Sequence, residues 1–129
     1  MHIRCESDFY VSIESAEPSN EDVLVIVKAR CPGFHGEIDT WIARDAWVGF
    51  CNQLAVLNEH RQGQATVESI SPKELHLIVR SIDRLGHMGV EGELGYRGVH
   101  GETHLRFSTM AFDPSTLPQL LTEAREIAG

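Results

Sequence analysis

The sequence has few basic residues, and this shortage excludes whole classes of partner. Its 129 residues contain 11 lysine and arginine residues against 19 aspartate and glutamate residues, for a formal net charge of −8. General nucleic-acid binding and binding to anionic membranes both need a basic surface. We therefore expect no nucleic-acid partner and no membrane partner, and we expect any charged partner to be basic.

The sequence also lacks long apolar stretches and paired cysteines. No apolar run approaches the roughly 20 residues of a membrane-spanning helix, and the polar start MHIRCESDFY is not typical of a secretory signal. Cys5, Cys31 and Cys51 are far apart and in no CxxC pair, which is typical of reduced thiols. We expect a cytoplasmic protein with a single domain over residues 1–129.

Catalytic and cofactor signatures are missing as well. There is no GxSxG nucleophile motif, no HExxH zinc motif and no P-loop ending in GK[ST]. No cysteine stands near a histidine in a recognisable catalytic arrangement. The sequence therefore predicts no catalytic residue and no cofactor, and a protein that is not an enzyme.

The pattern that is present is an alternation of apolar and polar residues, which is typical of strands with one face on a core. Strands are predicted near 3–13 (interrupted near Ser7), 23–27, 34–42, 64–70, 74–83, 87–97 and 102–112. From Asp45, a predicted N-cap, to residue 61 the apolar residues recur at helical spacing: Trp47, Phe50, Leu54 and Leu57. A second helix is predicted after Asp113-Pro114-Ser115.

Short turns between the predicted strands favour antiparallel pairing. The fold class is therefore predicted to be α+β: a curved antiparallel sheet of about six to seven strands, with one internal and one C-terminal helix packed on one face. Six glycines recur every third residue from Gly86 to Gly101. With no proline in this run, a bent hairpin strand is the favoured interpretation over a collagen-like repeat, and a flexible functional segment is the alternative.

Two polar triplets have the strand spacing of metal ligands, because side chains at i, i+2 and i+4 share one face. They are His35-x-Glu37-x-Asp39 and His100-x-Glu102-x-His104. Solvated strand faces are the favoured interpretation, so no metal is predicted. A small metal-binding or ligand-binding protein or enzyme that uses these triplets is the alternative.

Acidic residues beside an outward tryptophan give the favoured binding surface. Residues 1–22 hold six acids against one base, and on the third predicted strand Trp41 shares the outward phase with two more acids. Aromatic residues beside carboxylates are typical of binding hot spots for basic partners. The predicted partner-binding residues are Glu6, Asp8, Glu14, Glu37, Asp39 and Trp41.

The order of several short motifs resembles a known family. The motifs are Asp45-Ala-Trp-Val-Gly-Phe-Cys-Asn-Gln-Leu54, Leu75-x-Leu77, Gly86-His-Met with Val90 and Leu94, Leu105-x-Phe107, and Asp113-Pro-Ser-Thr-Leu117. Over roughly residues 34–128 the chain resembles the WapI-like immunity proteins and related small bacterial proteins of unknown function.

This resemblance implies a non-enzymatic protein that neutralises a toxin delivered by neighbouring bacteria. Acidic side chains would then stand in for phosphates on a basic toxin protein, and opposite charges would speed association. The family pattern supplies no functional residues, so the site residues above come from charge and strand phase alone. A homodimer joined through an exposed sheet edge or apolar face is a further alternative.

Overall fold

A computed structural model describes residues 1–17 and 20–129 of the chain. These residues form an α+β fold of two four-stranded antiparallel sheets and two helices. The first sheet holds β1 (His2–Arg4), β2 (Tyr10–Ser15), β3 (Val23–Cys31) and β4 (Phe34–Ile42), and the second holds β5 (Gln64–Glu68), β6 (Leu75–Ser81), β7 (Met88–Gly98) and β8 (Gly101–Phe112). Helix α1 (Arg44–His60) connects the sheets, and α2 (Leu117–Ala128) follows β8.

The first predicted strand is a hairpin, so the interruption expected near Ser7 is a reversal of the chain. Ser7 and Asp8 adopt left-handed backbone angles, with φ of 60° and 58°, and β1 then pairs antiparallel with β2. The next hairpin, between β3 and β4, turns at Pro32-Gly33 as expected. Gly33 has φ of 92°, and Pro followed by Gly is the residue pair of a type II turn.

The glycine-rich segment is a bent strand, as predicted. In β7 the register against β8 shifts between Val90 and Gly92, which marks a bulge. Close neighbours explain two of the glycines: a Cβ on Gly92 would lie 2.5 Å from the carbonyl oxygen of His76, and one on Gly95 would clash with the carbonyl oxygen of Lys73. Only glycine allows the neighbouring backbone to approach this closely.

Both predicted helices are present, and each buries an apolar stripe. In α1 the predicted residues Trp47, Phe50, Leu54 and Leu57 are buried, and in α2 Leu117, Leu120, Leu121 and Ala124 are buried. The prediction of Asp45 as the N-cap was wrong, because α1 begins one residue earlier and Ala43 occupies the cap without a side-chain bond. No helix within the described part of the chain combines the length and apolarity needed to cross a membrane.

The prediction of one curved sheet of six to seven strands was wrong, because eight strands divide into two sheets. Helix α1 separates β4 from β5, and these two strands do not pair. The inner faces of both sheets share one apolar core with the two helices. Direct links include the Phe9 and Phe107 rings, 4.9 Å apart, and a hydrogen bond of 2.9 Å from the Ile70 amide to the Trp41 carbonyl.

Candidate functional site

The outer face of the first sheet carries most of the predicted binding residues. The strand register sets its side chains in cross-strand rows, since facing residues on paired strands point the same way. The four rows are Leu24 and Trp41; Glu14, Ile26 and Asp39; His2, Ser12, Lys28 and Glu37; and Arg4, Tyr10, Arg30 and His35. Four of the six predicted residues, Glu14, Glu37, Asp39 and Trp41, therefore lie on one surface.

One end of this face is apolar. Trp41 leaves 44% of its surface exposed, and its cross-strand neighbour Leu24 and the adjacent Ile26 are half-buried. The alternate residues of β3 explain this arrangement, because Val23, Val25 and Val27 point inward and fill the core. The apolar run 23–27 thus supplies both the core and an uncovered outer patch, which we name the Trp41 patch (Leu24, Ile26 and Trp41).

Carboxylates flank the Trp41 patch. Glu14 and Asp39 stand on either side of Ile26 in the register, and Glu37 lies one row further along, 3.5 Å from the ammonium of Lys28. Asp39 makes no ion pair with any side chain that the structure describes. A carboxylate without a basic neighbour is free to accept one from a partner.

The two remaining predicted residues do not join this group. Asp8 lines an open cleft at the far end of the same face, where β2 begins and the β3–β4 hairpin turns. Glu6 lines a different depression, shared with Phe112 of the second sheet and with Ile82 and His87 between β6 and β7, and its amide donates to the Ala111 carbonyl. The reversal at Ser7 sends Glu6 and Asp8 in different directions, so the six candidate residues do not form one continuous group.

The two histidine triplets have different surroundings. His35, Glu37 and Asp39 do share one face of β4, where Glu37 is engaged with Lys28. His100 instead lies in the turn between β7 and β8, which removes the strand spacing on which that triplet depends. Over residues 1–17 and 20–129, no group of three or more His, Cys, Asp or Glu side chains is arranged to hold a metal ion.

The outer face of the second sheet carries charges that pair with one another. Glu93 contacts both His104, at 3.0 Å, and Arg106, at 3.1 Å. Further contacts join Glu91 to Arg80, Glu102 to Arg97 and Glu68 to His76. The arginine contacts offset the charges of Glu91, Glu93 and Glu102 locally, in contrast to Asp39 on the first sheet.

Burial makes two of the thiols poor nucleophiles. It raises the pKa of Cys5 to about 11, and it raises the pKa of Cys51 as well. The thiolate is the reactive form of cysteine, and a raised pKa makes it scarce. Cys31 is only half-buried, and it lines the same cleft as Asp8.

Sequence reasoning missed two parts of this face. The run 23–27 is apolar in both strand phases, a pattern typical of a strand that is covered on both sides, so it gives no sign that Leu24 and Ile26 lie on an outer face. Arg30 was not singled out, although it shares its strand phase with Lys28 and could have been placed on the outer face. The cleft around Arg30 forms where the β3–β4 turn lies near Asp8 of the left-handed turn. Strand phase does not reveal that these two turns are neighbours.

Comparisons with known proteins add no relative to this description. No family model matches the sequence, and neither the curated proteins nor the solved structures contain a significant match.

Proposed function

We propose that this chain is a non-enzymatic cytoplasmic protein that binds and neutralises a basic toxin protein through the outer face of its first sheet. The observation that carries the proposal is the Trp41 patch, an exposed tryptophan with half-buried Leu24 and Ile26, flanked by Glu14 and Asp39. An apolar centre with a charged rim is the usual anatomy of a protein interface. The resemblance to immunity proteins supplies the toxin-neutralising role.

The energetics favour Trp41 as the anchor of such an interface. Hot-spot residues are enriched in tryptophan and cost at least about 2 kcal/mol when truncated to alanine, which is a loss of affinity of roughly thirtyfold. The carboxylates add less affinity but set the type of partner, because opposite charges steer encounter and like charges repel. With a net charge of −8, the chain attracts a basic toxin before contact.

Co-expression with a toxin tests this proposal. The proposal expects a basic nuclease domain to be encoded next to the gene for this chain, and the readout is growth of bacteria that make both proteins. We expect Trp41→Ala to lose protection, and the double variant Glu14→Gln with Asp39→Asn to weaken it. Calorimetry with the purified proteins then measures the affinity, and we expect the binding of the double variant to depend less on salt than that of the original chain.

Matched variants on the second sheet serve as controls. Tyr96→Ala removes an aromatic side chain that is 67% exposed, and Glu68→Gln with Glu102→Gln removes two charges from the other outer face. Both should protect fully. Full protection by Trp41→Ala and by the charge variant of the first sheet would overturn the assignment of this face, and absence of protection by the original chain would overturn the toxin-neutralising role.

A further inference from the structure

The cleft at the far end of the outer face is an open depression lined by polar and apolar residues. Its volume is about 650 Å³, within the range of roughly 300–1,000 Å³ that small-molecule sites occupy. The hairpin turn Cys31–Phe34, Asp8 and the neighbouring residues Tyr10, Arg30 and His35 line it. His35 is four residues from Asp39 along β4, about 13 Å away at the rise of a strand, so the cleft is separate from the Trp41 patch.

Arg30 is the cationic group of this cleft. On the second sheet Arg80, Arg97 and Arg106 each contact a carboxylate. Arg30 has no ion pair with any side chain in the described part of the chain, although acids outnumber bases in this protein. Its register neighbours are Tyr10 and His35, both of which can donate hydrogen bonds.

An unpaired guanidinium between two further donors is suited to a carboxylate, which it can hold through two parallel hydrogen bonds. Asp8 adds an acceptor at the rim of the same cleft, and it makes no ion pair with the described side chains. The cleft therefore offers a cationic group and an anionic group to one occupant. Phe34, which is 69% exposed, also lines the cleft and offers an apolar ring there.

We infer that this cleft binds a small zwitterion of the α-amino-acid type with an apolar side chain. The carboxylate of the ligand pairs with Arg30, its ammonium pairs with Asp8, and its side chain packs on Phe34. Each of the three contacts uses a group that otherwise faces solvent. This site does not depend on the proposed toxin-binding role.

Three probes that differ by one charged group test the inference: L-phenylalanine, 3-phenylpropionate, which lacks the ammonium, and phenethylamine, which lacks the carboxylate. Titration of each into the isotopically labelled protein is followed by NMR at the amides of residues 8–10 and 30–35. We expect saturable shifts with phenylalanine, and affinity lower by about tenfold or more for each analogue, since each loses a charge-assisted hydrogen bond.

Variants separate the two charged contacts. Arg30→Gln should lower the affinity for phenylalanine by about tenfold or more, so that phenylalanine no longer binds more tightly than phenethylamine. Asp8→Asn should make phenylalanine bind no more tightly than phenylpropionate. Arg106→Gln on the second sheet is the control and should change neither. Absence of saturable shifts with phenylalanine, or equal affinity in Arg30→Gln, would overturn the inference, and a dispersed spectrum of each variant shows that it is folded. Toxin protection is a separate readout, so either proposal can fail alone.

Discussion

At the residue scale, Gly95 occupies the tightest position in the second sheet. Its amide donates to the Glu74 carbonyl at 2.9 Å, and a Cβ there would clash with the Lys73 carbonyl oxygen and lie 2.9 Å from the His104 ring. We expect Gly95→Ala to lower the free energy of unfolding by at least about 1–3 kcal/mol, the usual cost of overpacking. Urea denaturation followed by circular dichroism measures the change.

Gly49 provides the matched control for that substitution. It lies inside α1, and a Cβ added there would have no neighbour within 4 Å. Gly49→Ala should raise the free energy of unfolding by up to about 1 kcal/mol, because alanine favours the helix and restricts the unfolded chain. Equal effects of the two substitutions would contradict the close approach at Gly95.

Thiol reactivity should distinguish the three cysteines. Cys31 is half-buried in an open cleft, whereas burial raises the pKa of Cys5 to about 11 and also raises that of Cys51. We expect one thiol per native chain to react rapidly with a disulfide reagent at about pH 8, because the buried thiols form little thiolate. Cys31→Ser should abolish the rapid phase, and a rapid phase that survives in this variant would refute the assignment.

At the element scale, Asp113 controls the start of the C-terminal helical segment. Its carboxylate accepts a hydrogen bond of 2.9 Å from the Ser115 amide, and that bond holds the pKa of Asp113 below its ordinary value of 3.8. A lowered pKa in the folded state means that the ionised form stabilises the fold. This contribution is present above the ordinary pKa and is lost as pH falls through the lowered one.

We therefore expect Asp113→Ala to lower Tm at about pH 7, by a margin that shrinks as the pH falls below 3.8. Thermal unfolding across an acid series measures the margin. Asp113→Asn is the informative companion, because its amide oxygen can still accept from Ser115 but does not titrate. A constant margin for Asp113→Ala down to about pH 2 would show that the carboxylate does not act through its charge.

The elements show how far periodicity alone can predict this fold. The stripe of α1 and the strands of the second sheet were predictable, because long elements repeat their pattern several times. The β1–β2 hairpin was not, since Ser7 and Asp8 turn the chain without glycine. The division into two sheets was not predictable either, because alternation marks a buried face without identifying the neighbouring strand.

At the scale of the whole molecule, the two sheets depend on a shared core. The rings of Phe9 in the first sheet and Phe107 in the second are 4.9 Å apart, and both side chains are buried. A double-mutant cycle with Phe9→Leu and Phe107→Leu should give a coupling of about 0.5–1.5 kcal/mol, the range for aromatic pairs. Chemical denaturation of the four proteins measures it.

The same experiments test the expectation of a single domain. Tryptophan fluorescence and far-ultraviolet circular dichroism should report one coincident unfolding transition if the sheets unfold together. Two separated transitions, or zero coupling between Phe9 and Phe107, would indicate that the sheets are independent.

The candidate site was predictable only where strand phase decides exposure. Glu37, Asp39 and Trp41 alternate along one strand, so their common face follows from the sequence. Glu14 lies on the same face only because of the β2–β3 register. Glu6 lies elsewhere because the chain makes a left-handed turn at Ser7 and Asp8. Such relations between strands are set by tertiary pairing, which a single sequence does not display.

The two tryptophans give this protein a built-in optical reporter. Trp41 is 44% exposed in the proposed interface, whereas Trp47 is fully buried and donates from its indole to the Ala124 carbonyl at 2.8 Å. A soluble quencher such as acrylamide can therefore reach one emitter and not the other. Any partner that covers the Trp41 patch would shield the quenchable emitter while the buried one remains an internal standard, so occupancy can be followed without attaching a label.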